Sequence, residues 1–427
     1  MRWVLLMTAV LGCNAFAQIA EVKGVDVKGA EVNSTSVALA PITINLATNI
    51  SSAFTSDFAP GSAQNLLPHL QCIFNQMKRE YSVQVMPWRR AYQDVKNNRI
   101  DGFFTAVPMR QVEPYAVLSS PLVLENWYWF WRRDTVAPES WRDGYRLGSI
   151  LGSQQETWLG EAGYRVDMNA NNLPQLIKLL QSKRIDVLLA DREHFVQAAQ
   201  ELKLDANNFH TRFFRYVPLG VYFNEQFLNQ NPNFLVNFNQ QITGCATARF
   251  AVSDYERHQI GELLSRKIER WKHLPKLESL LIERNLKSRR FTTHEIVERD
   301  KKWTQGFMKN DFSYSIELID QELSAQLREI KKQSQDIITE IIVTDARGLN
   351  VAISGMTSDY WQGDEEKFTA AFSKPANTMH FGDINYDEST KRFQLQLSVP
   401  LYTEEKFEPL GVMVFGVDVE KVLSQAQ

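Results

Sequence analysis

The hexapeptides RIDGFF at 99–104 and RIDVLL at 184–189 are nearly the same phrase written twice, and each runs on into a polar segment. Their apolar halves are too short for helices and rich in Val, Leu, Ile and Phe, the mark of a strand buried on both faces. A helical pattern precedes each copy, WRRAYQDVKNN before the first and LPQLIKLLQSK before the second. Helix, tight turn and buried strand in that order make the crossover unit of a parallel sheet. Two copies of the unit predict two similar lobes.

Around these units the pattern stays orderly. ITINLAT (42–48) reads as a strand, SAQNLLPHLQCIFNQMKRE (62–80) as a helix and SVQVMPW (82–88) as a strand. WYWFW (127–131) carries the chain onward, and YRLGSILG (145–152) opens a second strand and helix set. FFRYVPLGVYFN (213–224) brings the chain back to a helix ending near Cys245. Two lobes joined by two crossing strands follow, with the second lobe at about 132–216. Residues 255–335 are charged and helical, with 271–335 read as a connector and an entry helix from about 290. From Ile337 short strands take over, IITEIIVTDARGLNVAIS, RFQLQLSVPLY and PLGVMVFGVDV, and predict an antiparallel sheet with a long helix on it, hence an α+β unit over 336–427.

Composition bounds the function. Hydrophobic residues at 44% and aromatic residues at 11% suit ordinary globular packing, and a net charge of −3 without a basic block argues against nucleic acid or an anionic membrane as partner. The opening MRWVLLMTAVLGCNAFA has one positive charge, an apolar run and the small-x-small triplet Ala15-Phe16-Ala17, so residues 1–17 read as an export signal cleaved after Ala17. VLGC at 10–13 offers a rival lipid-anchored form at Cys13. The run falls short of the ~20 apolar residues of a membrane span. Residues 18–41 read as a flexible leader. Without the signal two cysteines remain, Cys72 and Cys245. In an oxidising compartment such a pair reads as one disulfide, and two buried thiols are the alternative. Both fall on helical stretches assigned to the first lobe, which favours the bond.

The stretches PWRRAYQDVKNNRIDGFFTAVPMR (87–110), YAVLSSPL (115–122), LGSILGSQQETWL (147–159) and LLQSKRIDVLLADREHF (179–195) occur in the order and spacing of the family-3 periplasmic solute-binding proteins, which they resemble over about 42–270. The resemblance implies a two-lobed α/β periplasmic-binding fold of type II that closes on an amino-acid-like polar solute. It places Arg110 on a ligand carboxylate, where a planar guanidinium fork suits two oxygens. Thr105 would help, Asp191 would pair with a ligand ammonium, and the turn at Gly152, Ser153 and Gln154 would offer backbone N–H groups to an anion. Phe103 stands where these proteins often carry a small hydroxyl residue. The first loop lacks their aromatic-proline pair, leaving Phe54 or Phe58 to stack on a ligand, and Trp88 is expected near the cleft. Two residues have a second reading on their own chemistry: Arg110 as a surface arginine and Asp191 as a helix N-cap.

The C-terminal text IITEIIVTDARGLNVAISGMTSDYWQGDEEKF, FGDINYDESTKRFQLQLSVPLY and LGVMVFGVDVEKVL resembles an extracytoplasmic Cache sensor domain of the PAS-like kind, over about 290–427. Tyr360, Trp361 and Asp364 are its ligand candidates, or they fix the loop onto the sheet. Enzyme signatures are missing: no G-x-S-x-G, no Gly-rich phosphate loop, and HEIVE at 294–298 lacks the second histidine of a zinc site. No metal or cofactor is expected. The expectation is a periplasmic, non-enzymatic binding protein that senses a small polar solute and reports through a membrane signalling receptor. An importer component working with an ABC permease and a cell-envelope enzyme are the alternatives.

Overall fold

A computed structural model describes residues 43–49, 66–245, 250–387, 392–405 and 408–425. The expected signal, Cys13, Phe54 and Phe58 lie outside these residues. From Ile42 onward the chain forms one compact unit.

The first lobe is built from β1 (Ile44–Thr48), α1 (Leu66–Gln76), β2 (Tyr81–Val85), α2 (Trp88–Lys96), β3 (Gly102–Ala106) and the short β4 (Ala116–Leu118). Strands β2, β1 and β3 lie parallel in that order. After the crossing strand β5 (Val123–Arg132) the plan recurs as β6 (Leu147–Ile150), α3 (Gln154–Glu161), β7 (Met168–Ala170), α4 (Leu173–Gln181) and β8 (Val187–Asp191). Strands β7, β6 and β8 are again parallel. All five residues of β3 and of β8 are buried, as expected for strands covered on both faces.

The repeated phrase has the same local job in both lobes. After α2 and α4 the chain turns through a left-handed residue, Asn98 at φ 57° and Lys183 at φ 61°. Arg99 N–H then bonds the Asp94 carbonyl at 2.8 Å and Asn98 N–H that of Val95 at 3.0 Å, while Arg184 bonds Leu179 at 2.9 Å and Lys183 bonds Leu180 at 3.2 Å. This is a Schellman cap in each copy. Ile100 and Ile185 go into the cores. The aspartate then staples the turn to the neighbouring strand: a carboxylate oxygen of Asp101 accepts from Asn45 N–H at 2.8 Å, and one of Asp186 from Arg146 N–H at 2.9 Å. Gly102 follows because a Cβ there would sit 2.4 Å from the Tyr222 carbonyl oxygen.

Helix α5 (Arg192–Glu201) leads to β9 (Phe209–Asn224), which crosses back. Its first part, Phe209–Leu219, pairs antiparallel with β5, and Gly220–Phe223 pair antiparallel with β3. Strand β5 closes the second lobe by pairing with β8. Each lobe thus borrows its fourth strand from a crossing segment. Helices α6 (Glu225–Gln230) and α7 (Phe234–Cys245) then return to the first lobe, where Cys245 is bonded to Cys72 of α1 with Cα atoms 5.6 Å apart.

Helices α8 (Asp254–Lys272), α9 (Leu277–Ser288), α10 (Thr293–Met308), α11 (Ser313–Leu318) and α12 (Gln321–Gln333) lead to the second sheet. Its strands are β10 (Ile338–Asp345), β11 (Asn350–Ile353), β12 (His380–Phe381), β13 (Asn385–Asp387), β14 (Arg392–Tyr402) and β15 (Pro409–Asp418), with the short helix α13 (Glu366–Thr369) before β12 and α14 (Val419–Gln425) at the end. The order is β11-β10-β15-β14-β12, antiparallel, with β13 also on β14. The α+β reading holds, but helices cover both faces. Ile342, Val412 and Val414 meet Ile296 and Trp303 of α10. Ile341, Val343, Met413 and Phe415 share a core with Leu264 of α8, Leu281 of α9 and Leu327 of α12. That core runs without a break into Phe130, Leu188 and Phe195 of the second lobe. The stretch read as a connector is therefore packed core on one side.

Candidate functional site

The two lobes meet where their parallel strands end. Thr105, the fourth residue of β3, is buried and has φ 63°. A β-branched side chain in the left-handed region is a genuine outlier costing ~1–3 kcal/mol, and such strain persists where the surroundings enforce it. The β3–β9 register shifts at the same place. The Thr105 hydroxyl lies 3.3 Å from that of Thr48 at the end of β1. From the opposite lobe the Gln154 side-chain amide donates to the Thr105 carbonyl oxygen. The Gln154 Oε1 atom is buried and accepts no hydrogen bond from the described residues. Ser149 and Ser153 stand on the second lobe's side, their hydroxyls 3.5 Å apart. The seam is thus polar, uncharged and contributed by both lobes.

The other expected residues are placed differently. At the 152–154 turn the backbone donors are largely in use: Gly152 N–H points to Glu156 Oε2, and Ser153 caps α3 by accepting from Glu156 N–H at 3.1 Å. Glu156 occupies the place where an anion would sit. Asp191 is the N-cap of α5; one oxygen accepts from His194 N–H at 3.0 Å and the other from Asn126 N–H at 3.1 Å. Each oxygen of its carboxylate therefore already accepts one backbone N–H. Arg110 is exposed in the turn after β3. Trp88 is a core residue, 4% exposed and packed against Tyr92 and Phe103, because the first turn of α2 faces inward.

Beside the seam is a cavity of about 570 Å3. Val107 and Met109 wall it from the first lobe, Trp158 from the second, and Trp127 and Arg215 from the crossing strands. Its remaining wall comes from the second sheet, through Ile384, Tyr386 and Phe393. The Trp127 indole N–H donates to Glu125 at 2.8 Å. Burial, and next the charge of Asp191, push the Glu125 carboxyl up to about 7, with His194 and the indole N–H opposing. Sequence reading missed Thr48, Glu125, Trp127, Trp158, Arg215 and Tyr386. One signal was present: an acid two residues before WYWFW, where a buried strand would carry none.

In the second sheet's domain, Tyr360 is buried against Trp303 with ring centroids 5.3 Å apart, and burial raises its hydroxyl pKa to about 12. Asp300 of α10 accepts from both Tyr360 and Trp361 N–H, at 2.8 and 3.0 Å, and the Trp361 indole donates to the Arg347 carbonyl at 2.9 Å. These bonds tie the loop to α10 and to the turn between β10 and β11; Asp364 is exposed. Among the described residues no group of acidic, His or Cys side chains could hold a metal, and no helix is long and apolar enough to cross a membrane.

No protein-family model matches the sequence, and no curated protein does. Among solved structures, the chain is similar to a histidine kinase sensor domain described as similar to periplasmic binding proteins, at 15% identity over 47% of this chain and 89% of that one, with a TM-score of 0.38. It is also similar to the glutamate-bound GluR0 ligand-binding core from Nostoc punctiforme, at 15% identity over 48% and 92%, TM-score 0.38. A histidine-bound ABC uptake transporter substrate-binding protein from Streptococcus pneumoniae gives 13% identity over 48% and 87%, TM-score 0.39.

Proposed function

We propose that this chain is an exported binding protein that captures a small polar, amino-acid-like solute between its two lobes. One observation carries the reading: strand ends of two matched lobes meet in a polar seam at a strained Thr105, with an unused Gln154 acceptor on the opposite side. Strain at a residue that touches both lobes is a reason to look for function there. Ligand would stabilise the closed form by bonding both lobes, in proportion to its preference for that form over the open one. Arg110, exposed in the turn after β3, is assigned to a bound carboxylate, and Asp191, each of whose oxygens already accepts one backbone N–H, to an ammonium through its further lone pairs. The Cys72–Cys245 bond and the leader sequence support a periplasmic location.

A Cache-like, PAS-like C-terminal domain makes sensing through a membrane signalling receptor the favoured use. Its packing onto the crossing strands supports this: Glu420 of α14 accepts from Tyr216 N–H at 2.8 Å, and Phe393 lies 5.7 Å from the Tyr216 ring. Delivery to an ABC permease is the second reading, and a cell-envelope enzyme the third. A thermal-shift screen of amino acids, oligopeptides, polyamines and sugars tests solute capture. Hits are expected to weaken in Gln154→Ala, Arg110→Ala and Asp191→Ala; hits unaffected by all three place the site elsewhere. Membrane pull-down with ligand separates receptor from permease.

A further inference from the structure

We infer that the cavity beside the seam is a binding site for a small aromatic carboxylate, and that the C-terminal domain touches this ligand directly through Tyr386. The inference rests on the reading of the chain as a solute-binding protein and names a ligand class and a third wall for it.

The volume, about 570 Å3, falls within the roughly 300–1,000 Å3 of small-molecule sites. Its walls are apolar and ring-rich: Trp127 and Trp158 on one side, Tyr386 and Phe393 on the other. Such walls suit a flat apolar body held by offset or edge-to-face ring contacts. Charge is sparse and placed at the rim. Arg215 is exposed and donates a long 3.4 Å bond to the Tyr216 carbonyl; the Glu420 carboxylate, held on Tyr216 N–H, feels its charge but forms no ion pair with it among the described residues. Its remaining guanidinium N–H groups form a fork for a ligand carboxylate. Glu161, at the end of α3, is likewise exposed and makes no hydrogen bond or ion pair among the described residues, so it offers an acceptor to a ring N–H or hydroxyl. Tyr386 is 42% exposed and packs on Phe393 with centroids 4.9 Å apart, a ring held in place yet open on one face. Strand β13 thus joins Ile384 and Phe393 in bringing the second sheet's side of the molecule to a space whose other walls come from the lobes and crossing strands. A ligand there would bridge three parts of the molecule.

Titration calorimetry on the full chain tests this with indole-3-acetate, 4-hydroxyphenylacetate and phenylacetate, against indole, glycine and glutamate. The aryl carboxylates are expected to bind and indole to bind at least tenfold more weakly. Arg215→Gln should weaken the aryl carboxylates roughly 10- to 100-fold, and Tyr386→Ala roughly 2- to 10-fold, with the Arg215→Gln melting temperature unchanged because that side chain is exposed. Binding of glycine or glutamate that depends on Gln154, without aryl-carboxylate binding, would overturn this site and leave solute capture standing. Aryl carboxylates that bind both variants as tightly as the parent chain would overturn it too. Silence across this panel and the wider solute screen would sink both readings.

Discussion

Asp101 and Asp186 do the same backbone work in the two copies of the repeat and yet titrate in opposite directions. The Arg146 guanidinium bonded to Asp186 holds that carboxyl below its usual value, whereas burial raises that of Asp101. Glu125 is the larger case, raised from 4.5 to about 7. Its folded form keeps a proton that the unfolded chain releases, so its contribution is fully present below the unfolded value and is lost as pH rises through about 7. Glu125→Gln should remove that loss. Denaturant melts of parent and variant are expected to diverge from about pH 5 to pH 8 by up to ~3 kcal/mol; parallel curves would show the carboxyl to be ordinary. Residue roles of this kind were the least legible in the sequence. Asp191 offered two readings because its cap partner His194 is local, while Asn126, which takes the other oxygen, lies 65 residues away.

At the scale of elements the sequence was informative. The RID phrase marked both buried strands, since an apolar run after a capped helix depends on neighbours in the chain. The crossing strands were visible for the same reason. Trp88 misled, because a helix-opening tryptophan reads alike whether its turn faces the core or the cleft. The cysteine pair was legible from the export signal, the count of two cysteines left after it, and their helix assignments. Its bond closes a loop with a sequence separation of 173 residues and ties α7 to α1. Cys72→Ser with Cys245→Ser is expected to lose ~2–5 kcal/mol of stability in thermal melts. Titration of the denatured, unreduced chain cleaved after Ala17 should find no free thiol.

Across the whole molecule the second sheet and second lobe share one core, which periodicity could not foretell: it shows which face of an element is apolar, not what covers it. The connector at 271–335 was the stretch expected to join the lobes to the second sheet. Contacts with the crossing strands come instead from α8, where Glu256 accepts from the Asn126 side chain at 2.9 Å, from α14 and from β14. Removing residues 336–427 strips Val417, Val422 and Leu423 from the core they share with Tyr128 and Phe213. The truncated chain is expected to aggregate or melt without cooperativity by calorimetry; a sharp, soluble transition would show the lobes to be self-sufficient.

The borrowed strands also set an order of assembly. Every parallel strand of the second lobe and its closing partner β5 lie within residues 123–191, whereas the first lobe must wait for β9 and Cys245. Closing the longer loop costs more chain entropy and delays the contacts that repay it. The second lobe should therefore gain protection first: in pulse-labelled hydrogen exchange during refolding, the amides of β6 and β8 are expected to become protected before those of β1 and β3. Until β9 arrives, Cys72 is an unpaired thiol on an incomplete lobe, open to a wrong partner.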